Sequence, residues 1–284
     1  MRRFEMKYVS LKSLGSIGDM CSQMQQYASL YAIAKENNAE IVLPESTRNE
    51  GHGVRLFNIL DIPHTYQPNE FFEDFKVFNI DTTKEVDERS FQLGDGSYFI
   101  DGRFDMFKYW HPKYEKDVFD WKIHEHLKLD AQNYIQSLKQ KYGVSSITSI
   151  HIRLGDYLLP QHQHFARLFE TNYYNDAIQI INSEQENLFI VFTNDIDWCK
   201  NNIIGEDGVF VNSGNDNLDF TIMSECDNNI IANSSYSWWA AFKNSNPNKT
   251  VVCPKNYLRN YSQFKHINGN YFPSDWISID NYNG

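Results

Sequence analysis

From Gly143 to Cys253 short apolar runs alternate with helical stretches. Ile147-Thr-Ser-Ile-His-Ile-Arg153, Leu188-Phe-Ile-Val-Phe-Thr193, Val209-Phe-Val211, Asn229-Ile-Ile-Ala232 and Thr250-Val-Val-Cys253 read as strands. Between or after them, helices are expected over 173–182, 197–204, 218–226 and 235–243. Strands this uniformly apolar need cover on both faces, and helical crossovers between parallel strands provide it. The pattern therefore predicts an α/β fold with a parallel sheet, whose ligands bind beyond the carboxyl ends of the strands. Three polar segments fall at such ends: residues 151–157, 193–197 and 232–237.

The first half opens in the same style. Tyr8-Val-Ser-Leu11 predicts a strand, Gly15-Ser-Ile-Gly18 a turn, residues 22–37 a helix and Glu40-Ile-Val-Leu43 a second strand stopped by Pro44. Further strands are expected at 71–78 and 98–102, and helices over 112–119 and 130–142. The division that follows is an N-terminal α/β domain of residues 1–143 and a C-terminal one of 144–284.

Composition narrows the partners. A formal net charge of -11, with 26 Lys and Arg against 37 Asp and Glu, opposes nucleic-acid binding, which needs a basic face. One small anion remains possible, since a diphosphate needs only one or two cations and some backbone N–H donors. Cys21, Cys199, Cys226 and Cys253 are scattered without a C-x-x-C pair, so reduced thiols are expected. No window approaches the roughly 20 apolar residues of a membrane span, and a cytoplasmic location is expected. Asn248-Lys-Thr250 and Asn260-Tyr-Ser262 are glycosylation sequons only in an exported chain.

Arg153 follows an apolar strand and precedes Gly155, which puts a forked, permanent cation where backbone can approach a ligand. Phosphate fits that donor; an ion pair with Asp156 accounts for it equally well. Asn233-Ser234-Ser235-Tyr236-Ser237 joins a strand to a helix, where hydroxyls and free N–H groups cap the helix, hold a phosphate, or do both. Asp195-Ile-Asp197 has the form of a D-x-D metal motif, but Asp197 also suits the N-cap of the next helix, and Asp195 suits the two donors on the edge of guanine. Trp238 and Trp239 are expected in the core. His162 and His164 lack a partner at ligand spacing and are expected in a polar loop.

These segments, in this order, resemble the α-1,2-fucosyltransferases of glycosyltransferase family 11. The stretches that carry the likeness include Gln26-Tyr-Ala28, Leu56-Phe-Asn-Ile-Leu60, Asp101-Gly-Arg103-Phe, His151 to Tyr157, Tyr173-Tyr-Asn-Asp-Ala-Ile178, residues 192–198, residues 229–239 and Asp275-Trp-Ile277. The resemblance implies a GT-B-type fold, two Rossmann-like domains with parallel sheets facing across a cleft. It also implies an inverting reaction with GDP-fucose as donor, a glycan acceptor and no required metal or cofactor. It assigns Arg153 to the donor diphosphate, His151 and Asp195 to the guanosine end, and the turn at Asn233, Ser234, Ser235 and Ser237 to the β-phosphate, with Gly18 in an N-terminal donor loop. Asp156 is the first candidate for the carboxylate that deprotonates the acceptor and Asp101 the second. Arg103 and Gln26 join Asp101 as acceptor-side candidates.

Two positions depart from the family. Leu154 stands where a second Arg is usual, and Gly18-Asp-Met-Cys-Ser-Gln-Met-Gln-Gln-Tyr27 carries extra residues relative to the family's Gly-Asn-Gln-Met-Phe-Gln-Tyr. Two alternatives follow: a metal-dependent transferase of another nucleotide sugar using Asp195 and Asp197, and a GDP-sugar-binding protein without catalysis.

Overall fold

A computed structural model describes residues 6–49, 51–82, 84, 91–104, 106–110, 112–182, 187–205, 208–259 and 271–281. The sequon at 260–262 lies outside the described residues. The chain divides into two compact units, Met1–Lys122 and Ile123–Gly284. The division precedes the helix Glu125–Tyr142, whereas the sequence placed it after 143. That helix buries Leu127, Ala131, Ile135 and Leu138 at helical spacing. It is tied to the second unit by Gln132 donating to Glu225 and by the Lys139–Asp227 ion pair.

The first unit contains β1 (Lys7–Leu11), α1 (Met20–Glu36), β2 (Ala39–Ile41), β3 (Lys76–Asn79) and β4 (Tyr98–Asp101). Its sheet has the order β2-β1-β4-β3 and is parallel throughout. Helix α1 is buried on most of its surface, so its polar residues need internal partners. Gln23 shows how: its Nε2 donates to the Gly53 carbonyl at 2.8 Å, and its Oε1 accepts from the N–H of Arg55 at 2.7 Å. The turn before α1 needs glycine at 18, where φ is +81° and a Cβ would sit 2.7 Å from that of Ser22.

The strand expected over 71–78 begins only at Lys76. Asn69–Phe72 winds into a 3₁₀ turn, and Phe71, Phe72, Phe75 and Phe99 gather with neighbouring ring centroids 4.8–5.9 Å apart. Packing this aromatic cluster outweighs the local β propensity of the run.

The second unit follows its sequence pattern closely. In chain order it contains α2 (Glu125–Tyr142), β5 (Ser146–Ile152), α3 (Tyr173–Asn182), β6 (Asn187–Thr193), α4 (Ile196–Cys199), β7 (Val209–Phe210), α5 (Asp216–Ser224), β8 (Asn228–Ile230), α6 (Ser235–Lys243), β9 (Val251–Pro254) and β10 (Ile277–Ile279). The helix expected over 197–204 changes character at Lys200, where a π-helical turn runs to Ile204. Strand β10, not expected from the sequence, is a partly exposed edge strand whose Ile-Ser-Ile alternation spans only three residues.

The six strands are parallel in the order β7-β6-β5-β8-β9-β10. Every residue of β5, next to the middle of the sheet, is buried. The chain moves outward from β5 to β7, then returns to lay β8 on the other side of β5. This is the 3-2-1-4-5-6 order of doubly wound nucleotide-binding sheets, and it opens a crevice where the order reverses, beyond β5 and β8.

Three buried tyrosines secure the main chain at that reversal. The Tyr173 hydroxyl lies 2.7 Å from the Ile231 carbonyl and 3.1 Å from that of Val252, donating between them. Tyr174 donates to the His151 carbonyl at 3.2 Å, and Tyr157 to that of Asn233 at 2.7 Å. Burial pushes all three phenols well above their ordinary pKa, so they remain donors. All four cysteines are buried and unbridged. Among the described residues no helix is long and apolar enough to cross a membrane.

Replacing Tyr173 with Phe strips two buried carbonyls of their side-chain donor. It is expected to lower unfolding free energy by about 1–3 kcal/mol, read from urea denaturation. An unchanged midpoint would show that the phenol is dispensable.

Candidate active site

The crevice is built from the segments that follow β5, β6 and β8. As β5 ends, the chain turns sharply at Gly155, whose φ is +52° and where a Cβ would overlap the Asn194 amide. Asn194, just after β6, accepts a hydrogen bond from the Leu154 N–H at 3.0 Å. Leu154 itself points inward, fully buried in the core with Ile152, Leu168, Tyr174 and Val191. The position where the family resemblance leads one to expect a second Arg is therefore an interior position in this chain.

Arg153 and Asp156 form the ion pair that the sequence left open, Nη2 to Oδ1 at 2.8 Å, and the guanidinium lies 5.8 Å from the Tyr157 ring centroid. Each of the two side chains is 37% exposed. Although both side chains are partly exposed, the Asp156 Oδ1 that meets Arg153 is itself buried and makes no hydrogen bond among the described residues. The ion pair is therefore a loose one, and a diphosphate that brings more charge can take the guanidinium from it.

His151, one strand position before the end of β5, is 5% exposed. Its Nδ1 lies 2.9 Å from Ser237 Oγ, and its ring centroid lies 5.6 Å from that of Tyr236. Burial, and secondarily the nearby Arg153 charge, lower its pKa to about 3. The imidazole is neutral at physiological pH and adds no cation beside Arg153.

Helix α6 begins at the crevice. Ser234 is its N-cap, with Oγ accepting from the Tyr236 N–H at 3.4 Å, and Ser235 opens the first turn. Two neighbours expected to face a phosphate turn inward instead. Asn233 spends its amide hydrogens on the carbonyls of Ala166 and Tyr257, at 2.9 and 2.8 Å. Ser237, only 1% exposed, accepts from the Ala232 N–H at 3.2 Å and meets His151. These two side chains brace the strand-to-helix turn from within, because the turn directs them to the sheet.

Asp195 lies after β6, and its carboxylate accepts the Trp198 N–H at 3.0 Å. It is the N-cap of α4; the sequence had suggested Asp197, which instead falls in the first turn. The order of the two acids decided this, since the strand ends one residue before Asn194. His162 and His164 pack against Phe165, with centroids at 5.8 and 4.3 Å, and Phe165 stacks on Tyr157 at 4.4 Å, so this loop is aromatic as well as polar. Trp238 and Trp239 are core residues, as expected.

Gly18 and Gln26, which follow β1, Asp101, the last residue of β4, and Arg103 belong to the first unit. Asp101 pairs with Lys12 at 3.0 Å. Gln26 is buried, its Nε2 reaching the Ile17 carbonyl at 3.4 Å and its Oε1 finding no hydrogen-bond partner among the described residues. Arg103 stands just past the end of β4.

Sequence reasoning missed Asn194, Tyr157, Tyr173 and Tyr174 as site-forming residues. The tyrosines lay inside quoted segments, but nothing local shows which distant carbonyl a phenol will reach.

Placing a charge in the Leu154 pocket is costly. Leu154→Arg is expected to destabilise the protein by more than about 3 kcal/mol in urea denaturation without tightening GDP binding. The lowered pKa of His151 also has a definite sign. Protonation favours the unfolded chain, so stability is lost as pH falls from about 6.5 toward the folded-state value of about 3. The contribution is about 1.4 kcal/mol per pH unit over that window. His151→Asn removes that share of the acid sensitivity, which comparing the two denaturation midpoints between pH 6.5 and 4.5 will measure.

Comparisons with known proteins follow the same lines. A family model described as glycosyl transferase family 11 matches residues 9–280. The O-antigen biosynthesis glycosyltransferase WbnK of Escherichia coli is 36% identical over 43% of this chain and 42% of its own length. Galactoside alpha-(1,2)-fucosyltransferase 2 of Rattus norvegicus is 24% identical over 81% of this chain and 66% of its own length. The alpha-1,2-colitosyltransferase of Escherichia coli is 26% identical over 93% of this chain and 97% of its own length. This chain thus matches less than half of the first relative and just under two thirds of the second. Among solved structures, NodZ alpha-1,6-fucosyltransferase soaked with GDP-fucose superposes with a TM-score of 0.51 at 13% identity, over 84% of this chain and 92% of that one. The POFUT1 apo form gives 0.50 at 11% identity, over 87% and 97%. These likenesses bear out the GT-B-type α/β fold class expected from the sequence. With the family match reaching from β1 to β10, the chain belongs to glycosyltransferase family 11.

Proposed function

We propose that this chain is an inverting glycosyltransferase that moves fucose from GDP-fucose to a hydroxyl of a glycan acceptor, the 2-OH of a galactoside. The observation that carries the reading is the meeting of Arg153, the start of α6 and a neutral His151 at the point where the strand order reverses. A diphosphate suits that set: a forked cation and the N–H groups of a helix N-terminus both complement its charge. The family supports a sugar nucleotide as the source of the diphosphate, and the galactoside fucosyltransferase relative supports the sugar and the linkage.

In this reading Arg153 leaves Asp156 for the diphosphate, and Asp156 is freed to act as a base. The acceptor oxygen bonds to the anomeric carbon as the bond from that carbon to the β-phosphate oxygen breaks. The hydroxyl proton passes to Asp156, with Asp101 the second candidate, and the charge left on GDP is met by Arg153 and the first turn of α6. No step calls on a metal or a cofactor. Asp195, already capping α4 through Oδ1, has its other carboxylate oxygen for the guanine edge.

A second donor is favoured by one specific relative, the colitosyltransferase that this chain matches over nearly its whole length. The same diphosphate site serves either sugar, so a screen of GDP- and UDP-sugars with product linkage read by NMR separates the two.

Arg153→Ala is expected to lower kcat/KM for GDP-fucose by about 10²–10³, equivalent to the loss of one preorganised transition-state donor. Turnover in excess EDTA is expected to match that without chelator. Full activity in Arg153→Ala removes the proposed role, and loss of turnover in EDTA favours the metal-dependent alternative. GDP binding with no transfer to any acceptor points to a binding protein.

A further inference from the structure

Ser237 has one proton and three acceptors within reach. Its Oγ lies 2.9 Å from His151 Nδ1 and 3.5 Å from each of the carbonyls of Ala232 and Ser234. The Ala232 N–H already donates to the same oxygen at 3.2 Å, so one lone pair is occupied. A carbonyl at 3.5 Å is at the outer limit of a hydroxyl hydrogen bond, whereas 2.9 Å is close to its usual length. The hydroxyl proton therefore goes to Nδ1.

That choice sets the ring. If Nδ1 carried the proton, Ser237 Oγ would face two incoming N–H donors, and its own proton would be left with the two long contacts. With Nδ1 as acceptor, a neutral imidazole must carry its proton on Nε2. The other groups near the ring do not oppose this: Arg153 disfavours a second cation, and Tyr236 presents its ring. Among the described residues Nε2 has no hydrogen-bond partner and is not fully buried, which leaves an N–H donor at the edge of the crevice.

We infer that Ser237 is a positioning residue that fixes His151 as the Nε2–H tautomer, so that this imidazole offers the nucleotide a donor and never an acceptor. The consequence for the donor site rests on the proposed function: the atom that meets His151 on a guanosine nucleotide is an acceptor, such as a ring nitrogen, a carbonyl or a ribose oxygen. The tautomer itself requires no ligand. Ser237 thereby links α6, proposed above to meet the diphosphate, to β5, which carries His151 and ends just before Arg153. One buried hydroxyl sets the chemistry of two elements.

Nitrogen-15 NMR of the histidine rings in the ligand-free full chain tests this, with His151→Asn identifying the signals. The expected wild-type spectrum shows Nδ1 unprotonated and Nε2 protonated, unchanged between pH 5 and 8. In Ser237→Ala the ring is expected to populate both tautomers, and GDP affinity by calorimetry to fall about tenfold, the loss of one net hydrogen bond. Ser237→Thr, which keeps the hydroxyl, is expected to restore the wild-type pattern. A protonated Nδ1 in the wild type, or an unchanged single tautomer in Ser237→Ala, would overturn the inference. Absence of GDP binding by the wild type would instead count against the proposed function, and the tautomer would still be read.

Discussion

The reversal of strand order between β5 and β8 is the constraint on which the site depends. Adjacent parallel strands whose chains depart in opposite directions part company at their carboxyl ends, and the ladder between them stops at Ile150 and Ile230. Beyond that point carbonyls lose their strand partners while remaining buried, which is costly unless another donor reaches them. The phenols of Tyr157 and Tyr173 supply it to Asn233 and Ile231. Tyr173 also reaches Val252, whose carbonyl keeps the Ile231 N–H, and Tyr174 reaches His151, which is still paired with Phe192 of β6. The strand ends that wall the crevice are tied by hydrogen bonds to aromatic side chains that the core already holds.

Within those walls the polar side chains differ in how firmly they are committed. Ser237, Asn233 and the Nδ1 side of His151 are buried and engaged with protein, so they shape the site. Arg153 and Asp156 are held by one partly exposed ion pair, an arrangement that water and a competing anion can open. Burial separates the two classes. It keeps His151 neutral beside a guanidinium, where a second charge would repel the first, and it leaves the permanent cation at the rim. Leu154 belongs with the buried class, packed in the core cluster with Ile152, Leu168, Tyr174 and Val191.

Much of the second unit was legible because strong periodicity and local signals agreed. The helices Tyr173–Asn182 and Ser235–Lys243 have the bounds read from sequence, the second marked by the run of serines that caps it. Legibility failed where a distant partner decided the outcome. The run at 71–78 curls because Phe99 offers an aromatic face, β10 forms only because β9 presents an unpaired edge, and the helix at 125–142 joins the second unit through its own buried stripe. At the site, sequence named the turn at 233–237 correctly as a segment. It did not show that Asn233 and Ser237 face inward, since the direction of a side chain in a turn follows backbone angles that no local pattern encodes.

The sequence by itself determined the α/β class, the parallel character of the sheet and the three polar segments at strand ends, because hydrophobic periodicity acts over a few residues. It also carried the family, through motifs spread over most of the chain. Only the tertiary structure decided the order of the strands, and with it that β5 and β8 are neighbours although their sequences are far apart. Only that adjacency brings Ser237 to His151 and sets Arg153 near the start of α6, because hydrogen bonds and ion pairs act over a few ångströms in space, whatever the separation along the chain.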